Sequence, residues 1–145
     1  MRARLADWPA DARLVHTERM RMRWGEMDAL GHMNNAVYFR YFEQVRIAWF
    51  DSLGVSYREH DEAPILGSIS CRFVLPIVYP VELDVTLLAC APGRSTFTLY
   101  SEIRAAGEPQ RVFARAEAVM VWIDIAAGRS RSLPDWIKAH LPASD

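Results

Sequence analysis

The residues whose chemistry stands out lie in one polar stretch, residues 24–35, which runs directly into a long apolar segment. This stretch carries one central carboxylate, Asp28, and ends with Asn34 and Asn35. An ionised carboxylate can attack an electrophilic carbon or take a proton from water. The first N–H groups of a helix lack internal partners and carry partial positive charge, so they can stabilise a developing negative charge. We interpret this junction as the active site.

Each of these residues also has an ordinary structural interpretation. Asp28 could form a turn through its own backbone, and the two asparagines could be no more than a helix cap. For His32, an orienting or packed role in the loop is as favoured as a catalytic one. The pattern of the whole stretch favours the catalytic interpretation of Asp28 and leaves the role of His32 open.

The apolar segment predicts a helix over residues 34–54. Asn34 or Asn35 suits the N-cap, Gly31 permits the tight turn before it, and Gly54 suits the left-handed residue after the last turn. At about 100° per residue, one apolar arc contains Val37, Tyr38, Tyr41, Phe42, Val45, Ala48 and Trp49, and Arg40, Glu43, Gln44, Arg46 and Asp51 fall opposite.

Three apolar residues of the helix, Phe39, Ile47 and Phe50, fall within the polar arc. We therefore expect a helix that is apolar nearly all round and buried centrally. Glu43 and Arg46 are three positions apart, which favours an ion pair between them, and a role for Glu43 in positioning water is the alternative.

The remainder of the chain predicts strands. Residues 15–24 alternate in polarity, as a half-exposed strand does. Four more strand-like runs follow at residues 69–75, 81–87, 95–104 and 111–125, with turns at 91–94 and 106–109. We expect a charged connecting loop over residues 55–66 and a short helix after Pro134. One helix with five antiparallel strands predicts an α+β fold whose open sheet edges favour pairing between chains.

Length and composition favour one domain of 145 residues, with a lead-in at residues 1–14 and a C-terminal tail at 129–145. The formal charge is −1 and no basic patch indicates nucleic-acid binding. No signal sequence or membrane span is evident, so we expect a cytoplasmic protein without a membrane partner. Cys71 and Cys90 lack metal-ligand spacing and read as small core residues, and we expect neither a metal nor a cofactor.

The run Asp-x-x-Gly-His-x-Asn-Asn from Asp28 to Asn35 is preceded by Trp-Gly-Glu-Met at residues 24–27 and followed by Tyr38, Glu43 and Arg46. This pattern resembles the 4-hydroxybenzoyl-CoA thioesterase family of hotdog-fold proteins, and the resemblance covers essentially the whole chain. It implies a five-stranded antiparallel sheet wrapped around a long central helix. It also implies homodimers with a continuous sheet, often paired into tetramers, that hydrolyse acyl-CoA at the dimer interface.

The resemblance also implies roles for individual residues. Asp28 matches the catalytic carboxylate and the backbone N–H near Asn35 matches the donor to the thioester carbonyl. Some members have Asp where this chain has Glu26, and the Tol-Pal subgroup has His in place of Asn35. This chain therefore looks like the broad acyl-CoA branch. The catalytic candidates are Asp28, His32, Asn35 and Glu43, and the substrate- or CoA-binding candidates are Gly31, Asn34, Tyr38, Arg94 and Ser95.

An acyl-CoA substrate needs cations for its phosphates and an apolar pocket for its acyl group. The candidate cations are Arg94 beside Ser95, or Arg129 and Arg131, although each could be a solvated surface arginine. Phe39, Phe50 and Tyr57 could line the pocket or could simply pack in the core.

Two other functions fit the same fold. A hotdog enoyl-thioester hydratase or dehydratase would act on an unsaturated thioester without releasing thiol. A non-catalytic acyl-CoA-binding protein would bind the ligand without turnover.

Overall fold

The structure, a computed structural model, describes residues 8–55 and 60–143. The strands are β1 (Arg13–Arg21), β2 (Glu62–Phe73), β3 (Glu82–Ala89), β4 (Thr96–Ala105), β5 (Glu108–Asp124) and the two-residue β6 (Arg129–Ser130). The helices are α1 (Asn35–Ser52) and α2 (Asp135–Lys138), and one 3-10 turn covers Trp24–Glu26. No helix in the described part of the chain is both long and apolar enough to cross a bilayer.

The strands form one antiparallel sheet in the order β1-β3-β4-β5-β2, and β6 extends it by pairing with the end of β5. Strands β3 and β4 place alternate apolar side chains, such as Leu83, Val85 and Leu99, in the same buried cluster as the apolar face of α1. Burial of these two faces against each other is the main favourable term for a fold of this kind. Strands β1 and β2 are left as the two edges of the sheet.

Helix α1 has 18 residues and lies within the predicted range 34–54. Asn34 caps it and Gly54, with φ of 77°, follows its last turn. Two residues differ from the predicted helix faces. Arg46 is buried, although the helical wheel placed it in the polar arc. A helical wheel gives only the angular position of a residue, and the aliphatic stem of an arginine can lie along apolar neighbours. Phe39 remains 36% exposed, so the single chain does not cover α1 on every side.

Strand β2 corrects the prediction of a connecting loop over residues 55–66. It begins at Glu62, and Pro64 pairs in register with Trp122 of β5. The charged residues and the proline suggested a loop. Proline is tolerated here because β2 is an edge strand, in which one side of the backbone needs no ladder partner.

One residue of the predicted lead-in, Trp8, packs against the sheet. The ring of Trp8 covers the guanidinium of Arg115, with the carbon of the guanidinium 3.7 Å from the ring centroid. Arg115 in turn lies 3.0 Å from the carboxylate of buried Glu102, which also pairs with Arg104 at 2.7 Å. This ion cluster lies on the sheet face opposite α1. The predicted helix after Pro134 is confirmed as α2, whose Ile137 joins the core.

Gly67 occupies an irregular position in β2, where the register with β5 shifts between Leu66 and Ser68. A Cβ atom at Gly67 would lie 2.9 Å from Cγ2 of Val121 and 3.2 Å from the carbonyl oxygen of Val119. We expect Gly67→Ala to lower the free energy of unfolding by about 1–3 kcal/mol, because the backbone oxygen cannot move aside cheaply.

Denaturant unfolding would measure this effect, with Gly25→Ala as the matched control. A Cβ at Gly25 meets no atom within 4 Å, so this variant should stay within about 0.5 kcal/mol of the wild type. Equal stability of the two variants would show that the close approach at Gly67 is not a constraint.

Candidate active site at the start of helix α1

The polar loop before α1 is closed by its own backbone. The N–H of Asp28 donates to the carbonyl oxygen of His32 at 3.0 Å, and the N–H of Gly31 donates to that of Asp28 at 3.0 Å. Gly31 adopts φ of 78°, a conformation that glycine reaches without steric cost. The loop therefore returns on itself and delivers Asp28 to the beginning of the helix.

The carboxylate of Asp28 is half-buried and its two oxygens have different surroundings. Oδ1 accepts a hydrogen bond from the N–H of Leu30 at 2.9 Å, which is the turn-forming role that an aspartate commonly has. Oδ2 lies 3.4 Å from the side-chain amide of Asn34, and this long bond holds it only weakly. One oxygen thus fixes the loop, and the other faces the helix cap with capacity to interact with a substrate or water.

The first turn of α1 leaves a backbone donor one residue after Asn34, the residue that the carboxylate of Asp28 contacts. Asn34 Oδ1 accepts from the N–H of Ala36 at 2.9 Å, and the N–H of Val37 donates to the Asn34 carbonyl at 2.9 Å. No described residue accepts a hydrogen bond from the N–H of Asn35. Asn35 is exposed, so its N–H can reach a ligand at the positive end of the helix dipole.

A second carboxylate, Glu26, anchors the loop to the helix. Its Oε1 accepts from the hydroxyl of Tyr41 at 2.5 Å and from the N–H of Arg23 at 2.6 Å. The backbone oxygen of Glu26 also accepts from the N–H of Asn34 at 2.9 Å. Sequence reasoning missed Tyr41 as a site residue because it lies on the apolar face of α1, where an aromatic ring needs no further explanation.

The other predicted site residues on α1 and its loop differ in burial and in the residues that they contact. The His32 side chain is exposed, and Glu43 pairs with Arg40 at 3.4 Å. Tyr38 is buried, and its ring lies edge-on to Phe73 at the end of β2, with 4.9 Å between the ring centroids. Burial raises the pKa of the Tyr38 hydroxyl, an effect that the backbone of Ile77 partly offsets.

The predicted phosphate-binding residues lie elsewhere in the chain. The loop of Asp28 bonds to the chain just before β3, where Met33 donates to Ile77 at 2.8 Å. Arg94 and Ser95 follow the opposite end of β3, and eight residues of strand span roughly 25 Å. Near them, Arg131 pairs with Glu62 at the start of β2 at 2.8 Å. A single chain therefore does not bring these cations to Asp28.

The predicted pocket residues are also dispersed. Phe50 packs on Phe97 near the far end of α1, with ring centroids 6.3 Å apart, and Phe39 is partly exposed. Tyr57 lies outside the described residues. A groove of about 850 Å³ between β1 and α1 is lined by Glu26 and Tyr41 but does not include Asp28.

Neither cysteine fits the role of a nucleophile at neutral pH. Burial raises the pKa of the Cys71 thiol to about 11, and burial together with the nearby Asp11 raises that of Cys90 to about 11. Both thiols are therefore protonated at neutral pH, whereas the reactive form of a cysteine is the thiolate. In residues 8–55 and 60–143, no three His, Cys, Asp or Glu side chains lie close enough together to hold a metal ion.

The chain is similar to known proteins in sequence and in fold. A family model described as the thioesterase-like superfamily matches residues 22–141. YsmA of Bacillus subtilis (strain 168) is 32% identical over 124 residues, which is 85% of this chain and 82% of YsmA. The structure of the PA2801 protein from Pseudomonas aeruginosa, 35% identical, superposes with a TM-score of 0.82 and covers 88% of this chain and 98% of its own.

The structure of Slr0204, a 1,4-dihydroxy-2-naphthoyl-CoA thioesterase from Synechocystis, superposes with a TM-score of 0.77 over 86% of this chain and 93% of that one. At 20% identity this similarity concerns the fold alone. Membership of the narrower 4-hydroxybenzoyl-CoA thioesterase family stays a prediction. Because the family match spans the Asp28 loop, α1 and the strands from β2 onward, the chain belongs to the thioesterase-like superfamily and has the hotdog fold.

Proposed function

We propose that this protein hydrolyses acyl-CoA thioesters, with Asp28 as the essential carboxylate and the N–H of Asn35 as the donor to the thioester oxygen. The observation that carries the proposal is the position of Asp28. Its Oδ2 lies beside the cap residue Asn34, next to a backbone donor that no described residue engages. Acyl transfer to water requires two groups at the thioester carbonyl, a carboxylate that attacks or activates water and a donor to the oxyanion.

Two routes use these groups, and both end with the same products. In one, Asp28 Oδ2 attacks the thioester carbon, the C–S bond breaks, the CoA thiolate leaves and is protonated, and water then hydrolyses the mixed anhydride. In the other, Asp28 takes a proton from water, the resulting hydroxide adds to the carbonyl carbon, and the tetrahedral intermediate collapses with loss of CoA thiol. In both, the N–H of Asn35 stabilises the charge on the former carbonyl oxygen, a contribution of roughly 100- to 1,000-fold in rate.

The proposed active form is a homodimer joined through the free edges of β2. Five large apolar residues at or just beyond this edge are between 37% and 47% exposed, namely Ile65, Leu66, Phe73, Val74 and Leu75. The other edge, β1, instead presents charged side chains, including Arg13, Arg19 and Arg21. Charged residues discourage pairing at a sheet edge, whereas an uncharged apolar edge favours it.

Such a dimer would also unite the two halves of the proposed site. The Phe73 end of β2 lies near Tyr38 and the start of α1, and the Glu62 end lies near Arg131 and Arg94. A two-fold axis that pairs β2 with its copy antiparallel places opposite ends of the strand side by side. The Arg94 end of one chain would then lie at the Asp28 end of the other, where it could bind the phosphates of CoA.

Replacing the carboxylate tests the assignment of Asp28. We expect Asp28→Asn to lower kcat by about 100- to 10,000-fold, because the amide neither attacks nor accepts a proton. Thiol release from a panel of benzoyl-, octanoyl- and palmitoyl-CoA would measure the effect and identify the acyl group preferred by the wild type.

Asp51→Asn is the matched control, since Asp51 is exposed near the far end of α1 and its substitution should leave kcat unchanged. Wild-type turnover by Asp28→Asn would remove Asp28 from the mechanism. Loss of enoyl-CoA absorbance by the wild type without any thiol release would instead favour the hydratase.

Removal of an arginine at the opposite end of the sheet tests the shared site. We expect Arg94→Ala to raise KM for acyl-CoA about 10-fold with kcat nearly unchanged, because a charge-assisted bond to phosphate is lost. The KM for an N-acetylcysteamine thioester, which lacks the phosphates, should not change. Arg21→Ala, on the other sheet edge, is the control.

Hybrid dimers would then show whether the two residues act across the interface. After Asp28→Asn and Arg94→Ala chains are unfolded and refolded together in equal amounts, half of the dimers are mixed and each contains one intact site. Activity at low substrate should recover to about a quarter of the wild type. Recovery to only about one-twentieth would place Asp28 and Arg94 in the same chain's site.

A further inference from the structure

We propose that Tyr41 and Glu26 form a positioning pair, in which the hydroxyl of Tyr41 fixes Glu26 and thereby sets the approach of Asp28 to the N–H of Asn35. This inference rests on the proposed function and adds residues that act on Asp28 indirectly. Neither member of the pair is assigned contact with the substrate.

The pair joins the 3-10 turn before the loop to helix α1 through a hydrogen bond between side chains. Tyr41 is 5% exposed on α1, and Glu26 closes the 3-10 turn that begins the catalytic loop. The same oxygen of Glu26 accepts from the Tyr41 hydroxyl at 2.5 Å and from the Arg23 N–H at 2.6 Å. Hydrogen bonds to an ionised acceptor are shorter and stronger than neutral ones, so this oxygen holds both the turn and the helix.

The connection continues from Glu26 to the reacting groups. The carbonyl oxygen of Glu26 accepts from the N–H of Asn34 at 2.9 Å, and the neighbouring Met27 forms an isolated β-bridge with Met33. The side-chain amide of Asn34 then lies 3.4 Å from Asp28 Oδ2. A shift of Glu26 away from α1 would therefore displace the helix cap and, with it, the carboxylate.

The hydroxyl of Tyr41 is the donor in the hydrogen bond between the two side chains, and the carboxylate oxygen of Glu26 is the acceptor. Burial, followed by the bond to Glu26, raises the pKa of the Tyr41 hydroxyl. The phenol therefore keeps its proton well above neutral pH and can donate a hydrogen bond to the carboxylate of Glu26. Phenylalanine at this position would keep the ring packing and lose only the donor.

The geometry favours a positional role for Glu26 over a chemical one. Its Oε1 is directed to Tyr41 and the N–H of Arg23, and its side chain borders the groove on the β1 side of the loop, which Asp28 does not line. Glutamine can accept the same two hydrogen bonds through its amide oxygen. A glutamine substitution should therefore preserve the positioning, whereas alanine should abolish it.

The test compares four variants in thiol release from the preferred acyl-CoA. We expect Tyr41→Phe and Glu26→Ala each to lower kcat by about 10- to 100-fold with KM nearly unchanged, because a misplaced reacting group slows the chemical step. Glu26→Gln should stay within about 3-fold of the wild type. The double variant Tyr41→Phe with Glu26→Ala should lose no more than the worse single variant, since both break one interaction.

Tyr100→Phe is the matched control, because it removes a half-buried hydroxyl on the opposite face of the sheet and should leave kcat unchanged. Amide hydrogen exchange gives a readout that does not depend on activity. Exchange at the N–H groups of Asn34 and Met33 should accelerate in Tyr41→Phe and remain slow in Tyr100→Phe. If Tyr41→Phe does not fold, the comparison of Glu26→Ala with Glu26→Gln tests the same interaction. Glu26 is partly exposed, so its substitution disturbs the core less.

The outcomes separate this inference from the proposed function. Wild-type kcat in Tyr41→Phe, or equal losses in Glu26→Gln and Glu26→Ala, would overturn the positioning role. The second result would indicate that the charge of Glu26 takes part in the chemistry. Absence of thiol release by the wild type on every substrate would overturn the proposed function, and the exchange measurement would then decide the positioning role alone.

Discussion

The first turn of α1 carries backbone N–H groups that no residue inside the helix can pair with, and the site is organised around them. Asn34 engages Ala36 and Val37, and among the described residues none accepts a hydrogen bond from the N–H of Asn35. Asp28 lies beside this end because its loop folds back through Gly31 and bonds to the cap. The chain must satisfy most of these donors to begin the helix. The donor that it leaves open is the one that the proposed acyl transfer uses.

Packing of α1 against the sheet keeps this arrangement in place. Tyr38, Phe42 and Val45 are buried in the same apolar cluster as side chains of β3 and β4, so the helix cannot slide or rotate without exposing apolar surface. The loop has no comparable core of its own and depends on hydrogen bonds to the packed helix. The bond between Tyr41 and Glu26 is the most direct of these, because it joins a buried side chain of the helix to the turn that precedes Asp28.

The two edge strands of the sheet, β1 and β2, differ in the charge and polarity of their exposed side chains. Strand β1 is charged, and Asp84 of β3 pairs with Arg19 at 2.9 Å, an interaction that lowers the pKa of Asp84. Strand β2 exposes a row of apolar side chains and ends beside Tyr38. The proposed dimer follows from this contrast. It also accounts for the separation of Asp28 from Arg94, since residues at opposite ends of one sheet can meet across a two-fold axis.

The sequence by itself determined the elements whose signals are local. Alternating polarity identified most of the strands, and asparagine and glycine marked the ends of α1, because these preferences act within a few residues. The motif from Asp28 to Asn35 predicted the candidate site. The sequence was misleading at β2, where Pro64 and the charges around it suggested a loop, and at Arg46, whose burial depends on its neighbours. Only the tertiary structure decided that Tyr41 bonds to Glu26 and that Arg94 lies far from Asp28. Contacts between distant parts of a chain depend on how the elements pack, and no local pattern records that.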